Sequence, residues 1–425
     1  MAIVKKRNIF LYGLAATFII ILSFIFLSSD EVNEAELFSI EKPVIPVISP
    51  ISNPIYSDFI ASFEQKLTLE FEQSGIPGAA VGVLIDGTIV TLKGLGLLST
   101  NQTDSVNVHT TFRIASVSKG FASVLAGLHT KEKLNWNDPV KIHLPDFQAE
   151  PTVYTDSITI KHILSHSAGY PYQAFSTLVE DGMARDVMLS ELQGIELSRK
   201  PGEIHSYQNV AYSLIEPVLE NLTHCSYSSL LHERIFTPLN MADASISYDD
   251  MWYNTNAALP HRRSISGYKP VGLSRSYYNV AAAGGINASI SDMAQWMQAL
   301  MGLKSEVIPL NVLDSVFKPV IRTSVKNASF SSFDHPRKGH YGMGWRIVEY
   351  PQDTLIYHGG YANGYKSEIA LDRQKGIAIC ILTNSPGRFS NRMVVEFFQS
   401  FKEHFPETAD EPDNTILTPA TPGDA

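Results

Sequence analysis

Ser116-Val117-Ser118-Lys119 sets a hydroxyl and an amine three residues apart, and on a helix that spacing puts both on one face. An amine so placed can take the proton of a nucleophilic serine, the opening step of acyl transfer through a covalent intermediate. Spacing alone does not single out this pair, because Ser39-Ile-Glu-Lys42, Ser266-Gly-Tyr-Lys269 and Ser315-Val-Phe-Lys318 repeat it. The surroundings do. Residues 120–128 form an uncharged run of small and apolar side chains, which predicts that Lys119 begins a buried helix. Burial disfavours the ammonium form and makes a neutral amine available near neutral pH.

A serine nucleophile needs three further things: a second proton-handling group, contacts that hold the acyl substrate, and backbone N–H donors for the oxyanion. In Pro201-Gly-Glu-Ile-His-Ser-Tyr207-Gln-Asn209 a loop precedes the helical run 210–215, so Tyr207 and Asn209 fall at a turn that opens a helix. A phenol beside an ammonium can be pushed toward phenolate and act as a base. Tyr361-Ala-Asn363 repeats the short pattern, so this motif too is ambiguous by itself. His358-Gly359-Gly360 follows the strand-like residues 354–357 and places a potential cation and two glycines on a strand edge. Glycines there allow close approach of a substrate. The Tyr361 N–H is then a candidate partner for the Ser116 N–H in an oxyanion hole.

The elements that must position these groups are legible in outline. Phe59, Phe63, Leu67 and Phe71 recur every four residues, predicting an amphipathic helix over 57–74 closed by Gly75 and Pro77. Residues 78–85 and 88–95 read as strands joined by Asp86-Gly87, a tight-hairpin signal. Residues 365–372 and 377–384 form a second hairpin around Arg373-Gln-Lys-Gly376, with a last helix near 391–401. The middle, from Ser116 to about Leu303, reads as mainly helical. Strands at both ends and helices between predict an α/β chain of the α+β type: an antiparallel sheet built from both ends of the domain, flanked by helices, with a large helical insertion.

The ends carry other signals. Residues 9–27 are uncharged and mostly apolar, preceded by Lys5-Lys6-Arg7 and followed by an acidic stretch. At about 1.5 Å per residue such a run matches the ~30 Å hydrocarbon core. Its basic flank predicts a cytoplasmic N-terminus and an exported remainder, and Leu27-Ser-Ser-Asp30 is a poor cleavage site, so an uncleaved anchor is preferred to a signal peptide over 1–29. The expected location is anchored in the inner membrane with the domain in the periplasm or outside the cell. Residues 30–55 read as a Pro-rich spacer, 56–403 as the hydrolytic domain and 404–425 as a disordered tail. With 33 Lys and Arg against 43 Asp and Glu, net −10, the chain lacks a nucleic-acid surface. Cys225 and Cys380, far apart in sequence, are read as free thiols without catalytic surroundings. His162-x-x-x-His166 has a metal-like spacing but no intervening glutamate, and no metal or organic cofactor is expected.

Taken together, Ser116-x-x-Lys119, Tyr207-Gln-Asn209 and His358-Gly359-Gly360 make the chain resemble the serine β-lactamase and penicillin-binding-protein-like superfamily, in the branch of class C β-lactamases, D-alanyl-D-alanine carboxypeptidases and related esterases. The stretches Leu164-Ser-His-Ser-Ala-Gly169, Ala283-Gly-Gly-Ile286 with Ser291-Asp-Met-Ala-Gln-Trp296, and Tyr341-Gly-Met-Gly-Trp345 resemble it as well. The resemblance covers nearly all of 56–403. It implies Ser116 as nucleophile, Lys119 as general base, Tyr207 and Asn209 as the second motif and residues 358–360 as the third. It also matches Gln173 to a glutamine that contacts the substrate amide. Class C enzymes carry Lys-Thr-Gly where this chain has His-Gly-Gly, and a histidine with an ordinary pKa near ~6.5 is only partly charged at neutral pH. Peptidase, carboxypeptidase or esterase action on a small acyl or D-amino-acid peptide substrate therefore ranks ahead of β-lactam hydrolysis. A non-catalytic envelope-binding or β-lactam-sensing module is the reading from another class.

Overall fold

In β1 (Gly78–Ile85), Ala79, Val81, Val83 and Ile85 pack into one hydrophobic layer and Ala80 and Leu84 into another, the two-residue period of a strand buried on both faces. The structure, a computed structural model, describes residues 53–130, 133–325, 338–351 and 353–406. The anchor or signal expected over 1–29, nearly all of the spacer and all but the first residues of the tail lie outside the described residues. No helix among the described residues is long and apolar enough to cross a membrane.

β1 pairs on one side with β2 (Thr88–Gly96) and on the other with β12 (Ile377–Thr383), joining the two ends of the domain through Ala79 opposite Thr383 and Ile85 opposite Ile377. Asp86 and Gly87 both have positive φ, 48° and 75°, as the tight hairpin demands. The sheet continues through β11 (Tyr365–Asp372) and β10 (Thr354–Ala362) to β9 (Arg346–Glu349), β8 (Lys338–Tyr341) and β7 (Ile321–Thr323), in the order β2-β1-β12-β11-β10-β9-β8-β7. Each neighbour is antiparallel. The expected antiparallel sheet built from both ends is present. The short strands β7, β8 and β9 were not foreseen, because three or four residues of mixed polarity carry no readable alternation.

One face of the sheet is covered by α1 (Ser57–Ser74) and, further along the chain, the long C-terminal helix over Phe389–His404. Phe59 meets Phe397 and Phe401, and Phe71 meets Phe389, so the two helices run antiparallel. Burying each such ring contributes about 1.5–3 kcal/mol. Against the other face lies the helical insertion, beginning with α2 (Ser118–Leu128), which follows the two-residue strand β3 (Phe112–Arg113) and a turn of 3-10 helix at Ala115–Val117. It continues with α3 (Arg185–Glu191), α4 (Asn209–Tyr212), α5 (Ile215–Thr223), α6 (Ala281–Gly284) and α7 (Ile290–Leu300). The insertion also holds a small hairpin, β4 (His261–Ser264) with β5 (Gly267–Pro270), and β6 (Asn287–Ala288) pairs with β3. Trp296 and Trp345 are fully buried core, as their surroundings in sequence imply. Cys225 is exposed and Cys380 buried, and both are free.

Candidate active site

Lys119 lies in the first turn of α2 with none of its surface exposed. Its Nζ has three partners: the Asn209 Oδ1 and the Ala283 carbonyl oxygen at 2.8 Å each, and Ser116 Oγ at 3.2 Å. Burial, and then the charge of Arg346, hold the lysine well below its ordinary pKa. A neutral amine has two N–H groups and one lone pair. Asn209 Oδ1 and the Ala283 carbonyl can only accept, so they take both N–H groups. The lone pair is left facing Ser116, the geometry a general base requires.

The Tyr207 phenol lies within hydrogen-bonding reach of the Ser116 side chain. Burial raises its pKa above the ordinary tyrosine value, which corrects the phenolate expected from sequence. With the lysine uncharged there is no ammonium to stabilise phenolate, and Tyr207 rests as a protonated donor. Tyr207 and Asn209 flank Gln208, whose side chain caps α4 by accepting from the Val210 N–H. That cap is why a tyrosine two residues before an asparagine delivers both side chains to one lysine. Tyr361-Ala-Asn363, the repeat of the pattern, lies on β10 and its turn, where Asn363 donates to Ser276 instead.

β10 presses against the nucleophile. A Cβ on Gly360 would lie 3.0 Å from the Ser116 nitrogen and 2.4 Å from the Ile114 carbonyl oxygen, so a side chain there has no room. Ser367, opposite Gly360 on β11, donates to the same Ile114 carbonyl at 2.6 Å. Tyr361, next along β10, is exposed at the rim. Gly359 faces the opposite side of the sheet, where a Cβ would meet Glu368.

His358 is not the cation its position in sequence invites. It is 2% exposed, its Nε2 pairs with the Tyr341 phenol at 2.9 Å and its Nδ1 with the Gly359 carbonyl at 2.8 Å. Burial, and then the charge of Arg346, hold it well below the ordinary histidine pKa, so it is neutral at pH 7. His166 is lowered in the same way, and His205 to about 4, chiefly by burial. The permanent charge comes from Arg346 on β9, whose guanidinium lies 5.9 Å from the Tyr207 ring and 5.7 Å from that of Tyr341. Among the described residues no carboxylate forms an ion pair with it. Sequence reading missed this arginine because it sits on a four-residue strand without periodicity. The available signal was its place directly after Tyr341-Gly-Met-Gly-Trp345.

Gln173 is exposed at the mouth, with φ 50°; its N–H donates to the Tyr207 carbonyl at 2.8 Å and its side chain to the Tyr172 phenol at 3.1 Å. His162 and His166 do not share a helical face: His162 caps its helix against Thr159, while His166 lies beyond the helix end at φ 55° and accepts from the Gln208 N–H. Among the described residues no group of three or more His, Cys, Asp or Glu is arranged to hold a metal ion.

Comparison with known proteins agrees with this architecture. A family profile described as Beta-lactamase matches residues 59–395. Protein flp of Staphylococcus aureus (strain NCTC 8325 / PS 47) is 25% identical over 330 residues, 76% of this chain and 63% of that protein. Unguisins hydrolase ungD' of Aspergillus campestris is 27% identical over 352 residues, 78% of this chain and 62% of that protein. The chain thus spans less than two thirds of the length of these relatives. The octameric penicillin-binding protein homologue from Pyrococcus abyssi superimposes with a TM-score of 0.70 at 19% identity, over 80% of this chain and 77% of that one.

Proposed function

This chain belongs to the Beta-lactamase family, and from that premise we propose that it is a serine hydrolase working through an acyl-enzyme at Ser116. The observation that carries the reading is the orientation of Lys119, whose two N–H groups are taken by Asn209 and Ala283 so that its lone pair faces Ser116 Oγ. Lys119 takes the serine proton as Oγ attacks an amide or ester carbonyl. The Ser116 and Tyr361 N–H groups stabilise the oxyanion. Tyr207, a protonated phenol within reach of Ser116, donates toward the leaving group and recovers a proton when water attacks the acyl-enzyme. No metal or organic cofactor takes part in this scheme.

The substrate class follows from the charge beside Tyr207 and Tyr341. Arg346 is permanently charged, half-buried beside the Tyr207 and Tyr341 rings and without a carboxylate partner among the described residues, while His358 is neutral. A substrate with a carboxylate beyond the reacting carbonyl fits this arrangement, with the Asn209 amide and Gln173 beside the acyl portion. Carboxypeptidase or D-amino-acid peptidase action, or hydrolysis of an acidic ester, is preferred to β-lactam hydrolysis. The hydrolase named among the relatives supports hydrolytic chemistry in the family. The apolar run over residues 9–27 supports an exported, membrane-anchored enzyme with a small-molecule or peptide substrate.

The test is intact-mass analysis of the purified full chain with benzylpenicillin, a p-nitrophenyl ester and a D-alanyl-D-alanine peptide, with Ser116→Ala as control. Turnover of ester or peptide that vanishes in Ser116→Ala supports the proposal. A penicillin adduct that persists without turnover of either substrate favours the sensing module, and inertness to all three probes refutes the hydrolase.

A further inference from the structure

Ala283 supplies one of the two carbonyl oxygens that orient the Lys119 amine, and its own position is held from both sides. Downstream, the Ile286 N–H donates to Ser118 Oγ at 3.1 Å and the Ile286 carbonyl accepts from the Ile114 N–H at 3.0 Å, tying the segment to the nucleophile turn. Upstream, the Ala282 N–H donates to Glu216 Oε1 at 2.8 Å. Glu216 projects from α5, a separate helix, and its side chain is 4% exposed.

An ionisable side chain in such a place is expensive unless something uses it. Arg185 of α3 does not account for Glu216: it lies 3.4 Å from the other carboxylate oxygen but 3.0 Å from Glu220, which is more exposed and would serve Arg185 without Glu216. The shorter and fully buried contact is the one to Ala282. Burial raises the Glu216 pKa to about 7, with the Ala282 N–H and Arg185 opposing that rise.

We propose that Glu216 is a positioning residue for the catalytic lysine: by holding the Ala282 N–H it fixes the turn that sets the Ala283 carbonyl, one residue on, on Lys119 Nζ and so keeps the lysine lone pair on Ser116. The inference rests on the serine-hydrolase reading and adds a residue that touches neither substrate nor the reacting atoms. Without this tether α6, a single turn of helix, has no hydrogen bond of its own to α5: it is held from Asn279, three residues before Ala282, whose side chain donates to the Val179 and Met183 carbonyls, and from Ile286 downstream. The Ala283 carbonyl can then rotate away, and an amine that loses one of two acceptors no longer has a unique lone-pair direction.

The test uses the full chain and a fluorophosphonate probe. Its P–F bond breaks as Ser116 Oγ bonds to phosphorus; fluoride leaves, and the serine proton passes to Lys119. Glu216→Leu is expected to lower the maximal phosphonylation rate about ten- to a hundred-fold, the scale of a small misplacement of a catalytic group. The half-saturating probe concentration should stay unchanged. Glu216→Gln, which keeps a carbonyl oxygen for the Ala282 N–H, is expected to recover most of the rate. If Glu216→Leu does not fold, Glu216→Asp, one methylene too short to reach Ala282, takes its place with the same expectation. Equal losses in the Gln and Leu (or Asp) variants, or a wild-type rate in the Leu or Asp variant, overturn the inference while leaving the hydrolase intact. A wild type that is never labelled at Ser116 overturns the hydrolase reading and this inference with it.

Discussion

Gly359 and Gly360 are neighbours on one strand, and adding a methyl group to each separates catalysis from packing. At Gly360 the new Cβ would lie 2.4 Å from the Ile114 carbonyl oxygen and from Ser367 Oγ, and 3.0 Å from the Ser116 nitrogen. Comfortable contact needs about 3.5 Å, so β10 and the nucleophile turn must separate by about 1 Å. A displacement of that size at reacting groups costs about 10²-fold in rate, or roughly 2.7 kcal/mol of transition-state stabilisation. At Gly359 the Cβ would lie 2.6 Å from Glu368 Oε2, on the face of the sheet turned away from Ser116. That obstacle is the end of a side chain, which can rotate away at the expense of its bond from Asn391. Gly359→Ala should therefore lower stability by about 1–3 kcal/mol, the usual penalty of overpacking, while losing no more than about tenfold in rate. Ester hydrolysis or fluorophosphonate labelling, measured beside thermal unfolding, reads both quantities. Equal rate losses in the two variants, or an unimpaired Gly360→Ala, would refute the claim that β10 abuts the nucleophile through Gly360.

Three further outcomes are expected. Lys119→Met should reduce Ser116 acylation about 10²- to 10⁴-fold, the range of a lost general base, with folding retained by circular dichroism; retention of more than a tenth of the rate would remove Lys119 from that role. The pH–rate profile should rise with pH as Lys119 loses its proton, on a limb well below the ordinary lysine range, and should stay flat toward alkaline pH because burial raises Tyr207; a descending limb at neutral pH would contradict a protonated Tyr207. Glu368 is buried with its pKa raised to about 7, so the folded state binds its proton more tightly than the unfolded one. The stability this confers is complete below the unfolded value and is lost as pH rises through about 7. Thermal unfolding should therefore show wild type losing stability relative to Glu368→Gln between pH 5 and pH 8, and parallel curves would exclude that titration.

What the sequence by itself determined is what local chemistry encodes. Helix spacing joined Ser116 to Lys119, the four-residue aromatic repeat marked α1, and Asp86-Gly87 between two apolar runs marked the first hairpin; these features are legible because each depends on residues a few positions apart. The antiparallel sheet closed by both ends of the domain followed from strand-like runs at both ends. Only the tertiary structure decided the charges. Whether His358, Tyr207 and Lys119 are ionised depends on burial and on Arg346, groups brought together from α2, the turn before α4, β9 and β10, and desolvation is a property of the assembled interior rather than of any segment. The same holds for Arg346, on a strand too short to show a period, and for Glu216, whose contact with Ala282 spans 66 positions of the chain. A hydrogen bond across that distance leaves no trace in spacing, because the intervening chain serves only to return to the same place.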